Sequence, residues 1–174
     1  MVMGIDARGI FMQAVVVGQT ESFMPAIPDR ILVATDMTDT DALVPHAIAQ
    51  ARASGAEVML LHAVAEGAAV DEAEGAYLAK VKRLRDLRVE LLGVARRFES
   101  QGIACATAVR NGAASEVICA ELDRRGVSRI ILGAGGRDRA GQFSPGSVAR
   151  ELNAKLGVPV SVVGMNGMVL PAGS

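Results

Sequence analysis

Tryptophan is absent from this 174-residue chain, and tyrosine and phenylalanine contribute only one and four residues. Stacking platforms for unpaired bases need such rings, so a single-strand binder is disfavoured. Neither charge sign dominates: 18 Lys and Arg stand against 19 Asp and Glu, a net charge of -1. Proteins that neutralise several duplex phosphates carry a basic excess, and none is present. Cysteine is scarce. Cys105 and Cys119 form no CxxC pair and no Cys/His cluster, so no disulfide framework or zinc site is indicated, and a reducing cytoplasm is the expected compartment. His46 and His62 stand far from any metal-ligand spacing. No stretch reaches the ~18 uninterrupted apolar residues of a membrane span. The apolar run at residues 10–18 is short, is broken by Gln13 and follows Asp6, with no convincing small-residue cleavage site after it. No export, no membrane partner and no nucleic-acid partner is expected.

What the chain has is apolar mass. Hydrophobic residues make up 51% and charged residues 21%, with a mean hydropathy of +0.32, which excludes general disorder. The length suits about one domain. Three segments are read: an arm or leader at 1–28, a folded domain at 29–164 and a tail at 165–174. The first segment either lies outside the core or adds an edge strand that pairs with a partner subunit.

From Arg30 onward, short apolar runs alternate with helical patterns. ILVA (31–34), MLL within VMLL (58–61) and IIL (130–132) read as strands buried on both faces. A Thr/Asp-rich turn at 35–41 supplies an N-cap for a helix over 42–54, and Pro45 fixes the start of that helix near Thr40 or Asp41. A long helix is expected over 76–100, with Leu84, Leu87, Leu91, Val94 and Phe98 inward. Its basic residues, Lys80, Lys82, Arg83, Arg85, Arg88, Arg96 and Arg97, read as a solvated face. A small-residue strand at 103–109 looks like an edge. A third helix covers 113–125 and a fourth 147–156. The closing strand, 160–163, begins after Pro159, which also suits an edge. His46 reads as solvated, His62 as a satisfied structural residue, and both cysteines as small core hydrophobes. Strands alternating with helices imply right-handed crossovers and a parallel sheet. The fold class is α/β: a single doubly wound domain with five parallel strands and helices on both faces.

In such sheets ligands bind beyond the carboxyl ends of the strands, where strand order reverses. After the fourth strand stand Gly133, Gly135 and Gly136, then a loop to Gly146-Ser147 at the start of a helix. Glycines let the backbone approach a ligand, successive N–H groups make an anion nest, and a helix N-terminus adds unpaired donors. Together they describe a phosphate site, with Arg137 and Arg139 raising the local potential against Asp138. After the first strand stands Thr35-Asp36, whose carboxylate can accept from ribose hydroxyls or an adenine amino group. The competing reading is a loose glycine loop with no ligand.

With these residues in view, the stretch from about Arg30 to Gly164 resembles the universal stress protein family. Gly133, Gly136, Gly146 and Ser147 match its Gly-x2-Gly-x9-Gly-Ser/Thr spacing, which marks members that bind ATP. ILVATD, MLLHAV, GVSRIILG and GVPVSVVG match its strands. The resemblance implies strand order 3-2-1-4-5 and an ATP site. Thr35 and Asp36 would contact adenosine, Ala63 would meet adenine through its backbone, and Leu132 and Gly133 would line the adenine-ribose side. Gly136, Gly146, Ser147 and Val148 would hold the phosphates. Mg2+ or Mn2+, where bound, would be held mainly by phosphates and water, with no metal ligands assigned to the chain. Gly135 replaces a usual His or Arg, and Ala149 a usual Ser or Thr, which removes two side-chain contacts.

The implied function is a nucleotide-dependent regulator in a stress response, with little or slow hydrolysis and no catalytic residue assigned. No Walker A loop is present, and no carboxylate pair is evident beside the glycine loop. A phosphoryl or nucleotidyl transferase is the alternative. The Ser-Gly-Gly loop of related adenylating enzymes is missing after strand one, where the chain reads TDMTD. A nucleotide-free interaction module is the third reading. The resemblance also implies a homodimer through the last strand, whose Val160, Val162 and Val163 form an apolar edge in need of cover.

Overall fold

The computed structural model describes residues 29–65, 74–133 and 147–171. The arm at 1–28, the loop between the second strand and second helix, and most of the glycine loop lie outside these residues. The elements are β1 (Arg30–Ala34), α1 (Thr40–Ser54), β2 (Glu57–Val64), α2 (Glu74–Glu99), β3 (Cys105–Asn111), α3 (Ala114–Arg125), β4 (Arg129–Gly133), α4 (Ser147–Lys155), β5 (Val160–Val163) and β6 (Val169–Pro171). They form one sheet in the order β3-β2-β1-β4-β5-β6. The first five strands are mutually parallel, as expected, with β1 central: Ala34 lies opposite Leu61 of β2 on one side and Leu132 of β4 on the other.

Alternation in the strands divides the core into two layers. Ile31, Val33, Leu60 and Ile131 point to one face, where Leu43 and Ala47 of α1 and Leu91 and Phe98 of α2 cover them. Leu32, Met59, Leu61, Ile130 and Leu132 point to the other, against Ile118 of α3 and Leu152 of α4. The continuous apolar runs thus follow from burial on both sides. α1 starts at Thr40, as Pro45 required, and ends at Gly55 with φ of 68°. That left-handed turn lets the Gly55 N–H reach the Ala51 carbonyl, closing the helix where a side chain would be strained.

Four expectations change. β3 begins at Cys105 rather than Ile103, because Ile103 donates its N–H to the Phe98 carbonyl and belongs to the turn after α2. β5 is not an edge strand: β6 pairs antiparallel with it, Val163 opposite Val169. The stretch read as a tail therefore contains a strand. Its turn is held by Gly164 N–H to the Met168 carbonyl and Gly167 N–H to the Gly164 carbonyl, with Gly167 at φ of 76°. Asn166-Gly167 is the local signal for such a hairpin. His46 is half-buried rather than solvated.

Burial, together with the nearby Arg129 guanidinium, holds the His46 imidazole below its ordinary pKa of 6.5. The unfolded chain therefore takes up this proton more readily than the folded one. The associated stability is complete above pH ~6.5 and falls as the pH drops below that value. Urea unfolding of His46→Gln should show a flatter pH dependence across that window than the wild-type chain, with His62 present in both proteins. A slope unchanged by the substitution would mean that His46 does not titrate differently in the two states.

Candidate functional site

The carboxyl end of β1 is tied down by short-range hydrogen bonds. Thr35 donates its N–H to the Leu61 carbonyl at 3.0 Å, continuing the β1–β2 ladder by one residue. The Thr35 carbonyl accepts from His62 Nδ1 at 2.8 Å. A carbonyl can only accept, so Nδ1 carries the proton, and His62 serves as the structural residue expected. The Thr35 hydroxyl accepts from the Met37 N–H at 2.9 Å and donates to Asp39 Oδ1 at 2.6 Å. Asp36 is exposed, and its Oδ1 accepts from both the N–H and the hydroxyl of Thr38, at 2.9 and 2.7 Å. Between these two anchors Met37 sits at φ of 76°, a left-handed conformation that costs a non-glycine residue roughly 1–3 kcal/mol. The turn is held in this strained form by the bonds on either side of it.

Asp39 was not singled out by the sequence. Its carboxylate is buried, at 3% exposure, and makes no side-chain cap on α1 although the residue occupies the N-cap position. Its backbone carbonyl instead accepts from the N–H groups of Ala42 and Leu43. The side chain turns the other way, onto Gly133 at the end of β4: a Cβ on Gly133 would fall on the Asp39 carboxylate. Gly133 is thus glycine because an acidic side chain from the neighbouring strand end occupies the space. The feature was read as freedom for a ligand to approach.

The remaining expected residues distribute as follows. Register places Thr35 beside Gly133, one step beyond the Ala34–Leu132 pair, so Thr35, Asp36, Leu132 and Gly133 come together at the β1–β4 crevice. Ala63 lies on β2 two residues past the Leu61–Ala34 pair and is half-buried. Ala63, Leu132 and Val148 share one apolar cluster, which brings the first turn of α4 to the same end of the sheet. Ser147 opens α4. Gly136 and Gly146 lie outside the described residues. Arg110, which no motif marked, is the β3 partner of Ala63, and its Nε donates to Oε1 of the buried Glu121 on α3 at 2.9 Å. The two residues come from separate elements with no diagnostic spacing, so no sequence signal joined them. Cys105 is half-buried, and burial above all, with the Glu99 carboxylate nearby, pushes its thiol up to about 12. It is a packing residue with a quiet thiol.

Chemically, the crevice offers one exposed carboxylate at its mouth, a glycine backbone on the facing strand end and a small apolar floor at Ala63. Such a floor and rim suit a flat heterocycle carrying hydroxyl donors. Gly133→Ala should destabilise the fold by about 1–3 kcal/mol, because the added methyl displaces a buried, hydrogen-bonded carboxylate. Gly93→Ala serves as its control: the site on α2 is open, and removing a helix glycine should stabilise by about 0.5–1 kcal/mol. Urea denaturation of both variants checks the opposite signs.

The model of the Universal stress protein family matches residues 28–164. A search of curated protein sequences returns no significant match. Among solved structures, the universal stress protein UspA from Lactobacillus plantarum superposes with a TM-score of 0.66 at 19% identity, over 79% of this chain and 98% of that one. A universal stress protein from Archaeoglobus fulgidus in complex with dAMP gives 0.57 at 19% identity, over 78% and 98%. A universal stress protein in complex with cAMP gives 0.58 at 19% identity, over 79% and 98%. At these identities the structural likeness is one of fold. The family match spans β1 through β5 and both strand ends that build the crevice, and on that ground the chain belongs to the universal stress protein family.

Proposed function

We propose that this protein binds an adenine nucleotide, ATP in particular, in the crevice between the carboxyl ends of β1 and β4, and that it acts as a nucleotide-dependent regulator in a stress response. The observation that carries the reading is the register that sets Thr35 and the exposed Asp36 beside Gly133, with Ala63 and Val148 at the same end of the sheet. The related structures complexed with dAMP and cAMP support an adenine nucleotide as the ligand class. In this reading Asp36 meets the ribose, using the carboxylate oxygen not engaged by Thr38. Ala63 and Leu132 flank the adenine. Gly136, Gly146, Ser147 and Val148 serve the phosphates through the backbone amides that open α4. Mg2+ or Mn2+, where present, rides on the phosphates and their waters.

Turnover in this site is slow or absent. Of the two carboxylates after β1, Asp39 is already committed to Thr35 and packed on Gly133. That leaves Asp36 as the exposed carboxylate of this turn among the described residues, and phosphoryl transfer needs the metal, the water and the leaving oxygen to be positioned together. A cytoplasmic setting fits a nucleotide sensor with two half-buried, unpaired cysteines.

Nucleotide extraction from purified protein, followed by mass analysis and by titration with ATP, tests the site. Wild type should carry or take up adenine nucleotide. Asp36→Ala should weaken binding by roughly tenfold, the loss of one charge-assisted hydrogen-bond partner of ~1.5 kcal/mol. Gly146→Asp should abolish it by placing a carboxylate among the phosphates. Equal nucleotide load in all three would refute the assignment.

The protein also pairs with a second copy through the last strand of the sheet. Met165, Met168 and Val169 are exposed at 55%, 62% and 49%, and the three-residue β6 offers an edge with backbone groups to pair. Light scattering should give a dimer for wild type and a monomer for Val169→Lys. A monomeric wild type, or a variant that remains dimeric, would count against this edge.

A further inference from the structure

α2 buries one stripe and leaves another uncovered. Leu91, Ala95 and Phe98 are buried against the sheet, but Leu78, Val81, Val89 and Leu92 are exposed at 61%, 46%, 62% and 51%. At 3.6 residues per turn these four fall on one side of the helix, about 115° round from the buried stripe. The exposed basic residues Lys82, Arg85, Arg88 and Arg96 fall in the same arc of roughly 120°. None of the four forms an ion pair among the described residues. Of the acids of this helix, Asp86 and Glu90 lie on the other flank, while the exposed Glu99 stands within the arc at its C-terminal end, so the basic residues outnumber it there. Tyr77, 68% exposed, stands at the edge of the arc next to Val81. The sequence reading assigned these charges to solvent and left the aliphatic residues between them unexplained.

We infer that this face of α2 docks on the surface of a bilayer rich in anionic phospholipid. The charge pattern selects the occupant. A second copy of the chain would set Arg85 against its own symmetry mate, so the face repels itself. The surface is a convex ridge with cations spaced along it, which a plane of phosphates can meet at any register. Long Lys and Arg stems let the heads reach those phosphates while Leu78, Val81, Val89 and Leu92 enter the headgroup boundary. Tyrosine favours the same depth. Among the described residues no helix is long and apolar enough to cross a membrane, and α2 would lie on the surface, parallel to it.

Co-sedimentation of the full chain with vesicles tests the inference. Equal parts phosphatidylglycerol and phosphatidylcholine should capture the protein at low salt and release it at high salt, and phosphatidylcholine alone should not. Each basic residue near an anionic surface is worth about fivefold, so Arg85→Gln with Arg88→Gln should weaken partitioning about 25-fold. Lys80→Gln with Arg83→Gln removes the same charge from outside the arc and should change partitioning less than twofold. Leu78→Asp should abolish capture, with the thermal midpoint of every variant near wild type. Equal losses in the two double variants, capture by neutral vesicles, or no capture at all would overturn the proposal. So would a vesicle-free oligomer that Leu78→Asp dissolves, which would make this face an interface between copies.

Discussion

A carboxylate at 3% exposure needs donors and space, and Asp39 finds both at the point where the sheet reverses its order. The donor is the Thr35 hydroxyl at the end of β1, and the space is the missing side chain of Gly133 at the end of β4. This contact ties together the two strand ends that define the crevice. It also sets the turn between them, because Thr35 Oγ accepts from Met37 while donating to Asp39. The strained φ of Met37 is sustained by that pair of bonds, and the turn presents Asp36 outward. Without Gly133 the carboxylate would have to leave, the Thr35 hydroxyl would lose its acceptor, and Asp36 would lose its fixed direction. The position of the exposed acid thus depends on a buried one three residues later.

Much of this was legible in the sequence, for reasons that can be stated residue by residue. Ile31-Leu32-Val33 and Ile130-Ile131-Leu132 read as strands because burial on both faces removes the need for polar alternation. Helix ends were marked by glycines that adopt φ of 68° at Gly55 and 60° at Gly126, where other residues are strained. The pairing of the Thr35-Asp36 end with the Gly133 end followed from the strand order that the family resemblance implied. Asp39 was not legible, because an acid in a Thr/Asp turn before a helix looks like an N-cap, and what diverts it is a glycine on a distant strand. The Arg110–Glu121 pair was hidden for a similar reason: β3 and α3 bring it together with no spacing rule. β6 did carry a signal in Asn166-Gly167, but three residues ending in Pro171 have little strand propensity of their own. The β5 ladder supplies what the segment lacks.

α2 shows a different limit on reading by pattern. One apolar stripe, Leu84 through Phe98, was enough to account for a packed helix, so the charges were assigned to solvent and the second stripe was left unread. The lengths indicate otherwise. A helix of 26 residues extends ~39 Å, whereas the eight residues of β2 extend ~26 Å. The sheet can cover about two thirds of such a helix. The remainder overhangs, and the burial pattern shows which end: every described side chain of the helix before Leu84 is exposed.

In a parallel β–helix–β crossover the helix runs back against the strands, so its first turns lie at their carboxyl edge. The overhanging third of α2 therefore projects from the same edge of the sheet that carries Thr35, Asp36 and Gly133. A surface engaged by Leu78, Val81 and Arg85 would stand close to whatever occupies the crevice. Coupling between the two follows only if occupancy changes how α2 is held, since a ligand shifts an equilibrium no further than its differential affinity for the two states. The C-terminal half of α2 is fixed through the buried Leu91 and Phe98, whereas among the described residues of its N-terminal half only the partly buried Leu84 packs against that core.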